Sequence, residues 1–516
     1  MSDTNQPQAS YQEPQLLGHP KGLFYLFFAE LWERFSFYGM RALLMLYMVN
    51  ELFKALENAD AVAIGVYASY GTLVYATPVI GGMISDRLLG NRRAILLGGV
   101  LMTIGHAVMA IESQTFFFLA LGFLIVGNGF FKPNISTFVG SLYREGDPRR
   151  DAGFTIFYMG INVGAFVAPI FCGWLAINYG WHYGFGAAGI GMLSGVLVFW
   201  KGLKSNIFGD HGLPASEEAL EKTYLGIKAK IWVPLVTFLV VPMIAYMIYA
   251  GDFVFQVFGT ELYEGTVVSF LFKFVLLLVV AYVVYVMVNV SVKERFRLVV
   301  IFFMTFFMTL FWAFYELSGS LITLFADRNV NLVWFTASGT NAITAAFIIL
   351  FAMVYSRLWL FLSARGLNPR TPYKFAIGTA LIGFGFLVLS LSAGFADEFG
   401  RVPFIFMVLG YFLFTQGELF MSPVGLSKVT ELAPKKFVSF MMGIWFISSA
   451  FAFDIGGFIG RKMAITAADP TQKIEGFESL AIYTTGFEQI GYVALIGAVL
   501  ALILSPIMNR WMYGIH

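Results

Sequence analysis

Apolar runs of about 18 residues or more, broken by short polar connectors, recur along almost the whole chain. They predict membrane-spanning helices at 23–50, 62–84, 94–111, 116–141, 153–177, 182–200, 231–250, 267–289, 298–325, 333–362, 374–394, 403–429, 437–460 and 486–511. Continuous apolar runs of this length satisfy their backbone within lipid as helices. The expected fold is therefore all-α and polytopic, with fourteen spans.

The first span departs from the pattern of the rest. Inside an otherwise apolar run it carries Glu30, Glu33, Arg34 and Arg41. At 100° per residue these four and Tyr38 fall within an arc of about 140°. Turned to lipid, each ionised group would cost ~2.5–3.5 kcal/mol at the helix centre. The charged face should instead line a wet cavity inside a bundle, where carboxylates and guanidinium groups pair with one another or with a polar solute.

Charge in the connectors sets the topology. With the N-terminus inside, the loops at 86–93, 144–151, 201–230, 293–297, 357–374, 428–436 and the C-terminal end hold 22 Lys and Arg residues. The opposite connectors hold six: Lys54, Arg328, Arg401, Arg461, Lys462 and Lys473. Cytoplasmic loops are the basic ones, so both termini should be cytoplasmic and the chain multi-pass in the inner membrane. The connector at 201–230 is charged and contains Gly and Pro, as expected of a solvated linker with a short amphipathic helix. The division that follows is a disordered tail (1–20), an N-terminal six-helix bundle (21–200), a cytoplasmic linker (201–230), an inserted transmembrane hairpin (231–290) and a C-terminal six-helix bundle (291–516). Lys273 in the hairpin is expected to snorkel.

Composition narrows the function. The chain is 58% hydrophobic and 12% charged with mean hydropathy +0.75, which excludes a soluble surface. A net charge of +2 gives no basis for nucleic-acid binding. One cysteine, Cys172, excludes an internal disulfide and a multi-cysteine metal site. Residues 1–20 lack the apolar core of a cleaved signal. Gly184, Gly186 and Gly189 spell GxGxxG, but no strand precedes them, so close helix packing is the better reading. No protease, hydrolase or Walker pattern has its required context. An enzyme is not expected, nor is a metal or other cofactor.

Two groups of motifs carry a resemblance. Gly82-Met-Ile-Ser-Asp86-Arg87-Leu-Leu-Gly90-Asn91-Arg92-Arg93, with its tight turn at Gly90, resembles the loop signature of the major facilitator superfamily. Glu30-Leu-Trp-Glu33-Arg34-Phe-Ser-Phe-Tyr38-Gly39 resembles the ExxERFxYYG signature of the proton-dependent oligopeptide transporter family. Gly127-Asn-Gly-Phe-Phe-Lys132-Pro133-Asn134 and Phe154-Thr-Ile-Phe-Tyr158-Met-Gly-Ile-Asn162-Val-Gly164 agree with it. The resemblance spans nearly the whole chain, and it implies two six-helix bundles plus two inserted helices.

It also implies roles. Arg34 and Lys132 would hold a peptide carboxylate, a sound pairing of forked guanidinium and ammonium. Tyr38, Tyr75, Tyr158 and Asn162 would line the pocket, although in a chain with 24 Tyr such rings serve equally as core. In the second half Trp312 and Glu316 stand one turn apart, as do Glu418 and Ser422. By resemblance Glu418 would bind the α-ammonium with Ser422 in support, Trp312 and Trp445 would add pocket walls, and Arg41 would contribute both to the pocket and to a gate pair with Glu316. Glu30, Glu33 and Glu316 would carry protons. For each carboxylate the alternative is a structural ion pair.

The departures are specific. Phe37 replaces the first tyrosine of the family's Tyr-Tyr pair. Near 341 the usual Asn-Pro is missing; Asn341 and Thr344 both stand close by, and either could take the contact. His106 and Asp454 are expected to be structural. The function expected is proton-coupled import of di- and tripeptides by alternating access. The alternatives are a transporter of another small solute, such as an amino-acid conjugate, drug or anion, and a receptor that binds without turnover.

Overall fold

The structure, a computed structural model, describes residues 14–144, 147–257, 260–466 and 476–515. Most of the expected tail, and Lys473 with it, lie outside those residues. Fourteen long helices are present among the described residues: α1 (Lys21–Tyr47), α2 (Ala59–Ile84), α3 (Gly90–Met109), α4 (Gln114–Ser141), α5 (Arg150–Tyr179), α6 (Trp181–Lys204), α7 (Ala229–Tyr249), α8 (Val267–Val288), α9 (Val292–Tyr315), α10 (Ala342–Ala364), α11 (Thr371–Leu391), α12 (Ile405–Leu432), α13 (Val438–Lys462) and α14 (Phe477–Trp511).

Every expected span has its helix, and the differences fall at polar ends. The span expected at 298–325 breaks after Tyr315 into a 3₁₀ turn, Glu316–Gly319, before a short helix, Leu321–Asn329. The span expected from 333 begins instead at Ala342, after another 3₁₀ turn at Ser338–Asn341. α14 starts nine residues earlier than hydropathy indicates, because Glu478, Thr484 and Thr485 keep its first turns from reading as an apolar run.

Small residues let the helices of each half approach. At Gly81 of α2 an added Cβ would lie 2.0 Å from the Gly129 carbonyl oxygen of α4. Gly184 and Gly189 likewise face Leu43 and His106 at 2.5 and 3.0 Å, so those two positions of the GxGxxG string serve packing, whereas Gly186 faces open space. α1 packs on α5 and α6, and α11 on α12 and α14. The free end of the second bundle is closed by Asn329, which donates to the carbonyls of Gly400 (3.0 Å) and Gly476 (2.8 Å) and accepts from Ser479.

α7 and α8 have a foot on each half. α7 meets α4 where Gly122 leaves room for the Val241 carbonyl. α8 meets α13 through Phe272 on Phe451 and Tyr282 on Phe440, whose ring centroids are 5.3 and 4.3 Å apart. Asp454, expected to be structural, is hydrogen-bonded by Ser269 on the same seam, and Lys273 is exposed beside it.

The connector at 201–230 contains the expected short helix, Glu217–Glu221, but it is not a loose tether. Phe208 is buried against Phe138 and Phe199, Arg92 donates to the His211 carbonyl (2.6 Å), and Arg93 pairs with Glu217 (3.0 Å). The chain turns out of the preceding helix at Gly90 with φ +70°, as the loop motif requires.

Gly81→Ala should lower stability by about 1–3 kcal/mol, the usual cost of overpacking a tight contact. Gly186→Ala, with nothing within 4 Å of its added carbon, should leave Tm unchanged. Thermal unfolding of the detergent-solubilised protein checks both.

Candidate functional site

The charged face of α1 points inward as its spacing requires. Glu30, Glu33 and Arg34 are buried, and Arg41 is nearly so. Arg34 Nε lies 3.0 Å from a Glu30 oxygen and also pairs with Glu33, with its guanidinium 5.4 Å from the Phe37 ring centroid. Asn128 of α4 donates to Glu33 at 3.5 Å. Glu30 Oε2 and Arg34 Nη2 make no hydrogen bond. Two carboxylates therefore share one guanidinium, with hydrogen-bonding capacity left over on both sides. Lys132, also on α4, brings a second cation near this cluster, its Nζ 3.9 Å from the centroid of the Tyr75 ring. A cation over a desolvated aromatic face gains about 2 kcal/mol, less than burial costs it.

Beyond Tyr75 lies a cavity of about 100 Å³ between the halves. Tyr38, Arg41, Tyr75 and Asn162 wall it from the first bundle, and Trp312, Glu316 and Glu418 from the second. Asn341 and Thr344 line it too, so both candidates near the start of α10 reach the space. Glu418 accepts a hydrogen bond from Tyr315 and keeps its Oε2 unpartnered. The cavity wall thus carries Arg41 of α1 facing carboxylates of the second bundle, Glu316 and, on α12, Glu418. Its volume is below the ~300 Å³ at which small-molecule pockets begin, so a larger solute requires the halves to part.

Ion pairs and close packing both hold the halves together. Arg41 pairs with Glu316, and its Nε donates to the Tyr67 hydroxyl at 2.7 Å. Arg328 makes a two-pronged bond to Asp60, at 2.6 and 2.8 Å, and reaches the Tyr483 hydroxyl at 2.7 Å. Gly71 of α2 lies under Phe453 of α13, and Tyr75 stacks on the same ring at 5.4 Å. Gly173 of α5 faces Ser338. The Asp60–Arg328 and Gly173–Ser338 contacts lie toward the membrane face away from the termini, at the helix ends where α2 begins and α5 finishes.

The break at Glu316–Gly319 lies against a crowded stretch of the first bundle. An added Cβ at Gly319 would stand 1.9 Å from the Tyr67 hydroxyl and 3.0 Å from Arg41 Nη2. The backbone can press against Tyr67 and Arg41 here only because this position has no side chain.

Not every residue anticipated from sequence reaches the cavity. Arg34, Lys132, Glu30 and Glu33 form the adjoining cluster, screened from it by the Tyr75 ring. Tyr158 is 47% exposed one turn from Asn162, whose side chain bonds the Tyr158 carbonyl. Ser422 has a buried, unpartnered hydroxyl outside the cavity wall. Trp445 is buried against Gly425 rather than facing the cavity. His106 is buried, with Nε2 hydrogen-bonded to Ser36. Sequence reasoning missed Tyr67, Tyr315, Ser318 and the Asp60–Arg328–Tyr483 cluster. Asp60, Tyr67 and Tyr75 are seven and eight residues apart, a polar stripe on one face that periodicity would have revealed.

Two helical bundles meeting at a small polar cavity, with ion pairs across the seam, define a membrane transporter of the major facilitator kind. The model of the POT family matches residues 92–475, and the chain belongs to that family. It is 33% identical over 517 residues to the uncharacterized transporter YclF of Bacillus subtilis, covering 98% of each chain. It is 34% identical to the peptide transporter YePEPT of Yersinia enterocolitica, covering 95% of each. A crystal structure of a glutamate-to-glutamine variant of a peptide transporter in complex with alafosfalin superposes with TM-score 0.79 at 33% identity, covering 97% of this chain and 98% of that one.

Gly319→Ala should disturb the contact of Gly319 with Tyr67 and Arg41, lowering Tm and increasing the separation of spin labels placed at the far ends of α2 and α13. Tyr67→Phe added to it removes the clashing oxygen and should recover part of the loss. Double electron–electron resonance distances check the first effect, and calorimetry the second.

Proposed function

We propose that the chain imports di- and tripeptides by proton-coupled symport, alternating access between the two sides of the cytoplasmic membrane, and that it does so as a carrier rather than an enzyme. The observation that carries the reading is opposite charge in one cavity wall, Arg41 from the first bundle and the half-satisfied Glu418 from the second, with Arg34 and Lys132 in the adjoining cluster. An extended peptide has its carboxylate and ammonium at opposite ends, and this layout suits it. Under the positive-inside rule the face bearing both termini is cytoplasmic. The Asp60–Arg328 and Gly173–Ser338 contacts then close the outward side.

Arg34 and Lys132 receive the peptide carboxylate, and Glu418, supported by Ser422, receives its ammonium. Tyr38, Tyr75, Tyr158, Asn162, Trp312 and Trp445 shape the pocket, the last two of the tyrosine and tryptophan sets entering as the halves part. Coupling follows from competition for the guanidinium groups. While Glu30 and Glu33 are ionised they occupy Arg34. Adding a proton to either weakens its hold and leaves Arg34 able to bond an incoming carboxylate. Glu316 and Arg41 repeat the logic at the gate: a proton on Glu316 removes the charge that binds the halves, and the outward side can open. Protons are the coupling ion, and the inward proton gradient drives uptake.

In proteoliposomes Glu33→Gln and Glu316→Gln should retain counterflow exchange of labelled dialanine while losing accumulation under an imposed proton gradient. Wild-type accumulation that is equal with and without the gradient would refute coupling. Glu418→Gln should weaken dialanine by about 1.5–3 kcal/mol, the worth of a charge-assisted hydrogen bond, or roughly 10- to 150-fold. N-acetyl-dialanine, lacking the ammonium, should be insensitive to that substitution. If blocked and free dipeptides compete equally in the wild type, the cargo is another class of solute.

A further inference from the structure

A second polar pocket, of about 700 Å³, opens on the face that carries the termini, between the end of α10, the turn into α11 and the last turns of α12. Three cations line it: Arg370 and Lys374 at the start of α11, and Lys428 on α12. Lys374 is only 6% exposed, and its ammonium sits 3.8 Å from the centroid of the Trp359 ring. Lys428 reaches Glu431 at 2.7 Å. Among the described residues, no carboxylate pairs with Arg370 or Lys374.

Such an arrangement is unbalanced. A buried ammonium loses its hydration, and a ring face replaces only part of what is lost. Two like charges facing one space add repulsion. The Trp359 ring holds Lys374 in place without neutralising it. Within the same pocket Asn368 bonds Ser363 at 2.8 Å through its amide nitrogen. An anion entering between Arg370, Lys374 and Lys428 would discharge the group, and a phosphate offers oxygens to all three at once.

What the pocket adjoins identifies the source of that phosphate. Along α10, Met353 and Leu360 are 68% and 70% exposed, an apolar strip on the helix face that ends at Ser363 in the pocket wall. Beside it the Arg365 guanidinium lies 3.5 Å over the Phe361 ring. A cationic cup with an apolar runway fits a headgroup and its acyl chain, whereas a free ion would use only the cup. Basic pockets between helix ends on the cytoplasmic side are suited to anionic lipid headgroups. We propose that this pocket binds the phosphate diester of an anionic glycerophospholipid of the inner leaflet, with Lys374 as the anchoring charge and Arg370 and Lys428 flanking it. The proposal is independent of the cargo of the central cavity.

The test is thermal unfolding of the full-length, detergent-solubilised protein titrated with dioleoyl phosphatidylglycerol, dioleoyl phosphatidylcholine or inorganic phosphate. Phosphatidylglycerol should raise Tm saturably, and phosphatidylcholine and inorganic phosphate should not. Lys374→Gln combined with Arg370→Gln should weaken the apparent phosphatidylglycerol affinity at least tenfold, and Lys374→Arg should keep it near wild type. Elution as a single monodisperse species shows that each variant is folded. Equal stabilisation by phosphatidylcholine, unchanged affinity in the double variant, or an equally weak Lys374→Arg would overturn the site. Stabilisation by inorganic phosphate matching that by phosphatidylglycerol would overturn the lipid assignment.

Discussion

An ionised side chain in a membrane-spanning helix must find a counter-charge or water, and that requirement organises this protein. α1 places two carboxylates and two guanidinium groups on one face, so it cannot stand at the lipid boundary. It is packed instead between α5 and α6, with its charges met by Asn128 and Lys132 of α4 and by Glu316 from the opposite half. The central cavity is what remains where those charges converge without filling all the space. The same constraint explains why Tyr75 and Tyr315 line it and Tyr67 stands against Arg41 beside it: each brings a ring to fill volume and a hydroxyl or π-face to meet a charge.

A seam built from ion pairs differs from one built of apolar packing in what can loosen it. Buried pairs contribute little net stability because desolvation offsets attraction, yet losing one partner's charge is costly. The Arg41–Glu316 pair is therefore close to balanced while both groups are charged and sharply altered when one is not. α2 and α13 provide the contrasting contact, with Gly71 under Phe453 and Ala68 against Gly457. Small residues there leave a surface over which one half can rock on the other. α7 and α8 lie astride that movement, one against α4 and the other against α13, and few contacts join the pair to each other.

Most of the fold was legible in the sequence because apolar length is a strong signal in lipid. All fourteen spans were found on that basis, and the charged face of α1 followed from angular spacing alone. The misplaced ends have a common reason: hydropathy averages over a window and misses a helix that starts in polar residues, as α14 does at Glu478, or one that breaks, as α9 does at Glu316. The break lies where Gly319 meets Tyr67 across 250 residues of chain, a contact no local pattern encodes. Of the site, Tyr38, Arg41, Tyr75, Asn162, Trp312, Glu316 and Glu418 come together around one cavity. Tyr158, Ser422 and Trp445 stand outside its wall, because which face of a helix meets a space depends on how far the two halves are rotated, and sequence spacing carries no information on that. The Asp60–Arg328–Tyr483 cluster joins three distant stretches, each of which reads as an ordinary helix end.

The central claim is that carboxylates holding Arg34 and Arg41 exchange a proton for a peptide carboxylate, so that solute and H⁺ cross together. The most direct measurement is the lumenal pH of sealed proteoliposomes, read by a trapped pH-sensitive dye while dialanine is added outside with no proton gradient imposed and the membrane potential clamped by potassium and valinomycin. Lumenal acidification that tracks dialanine entry and is absent when the dipeptide is left out is the expected result. Dialanine entering at the same rate with the lumenal pH unchanged would contradict it.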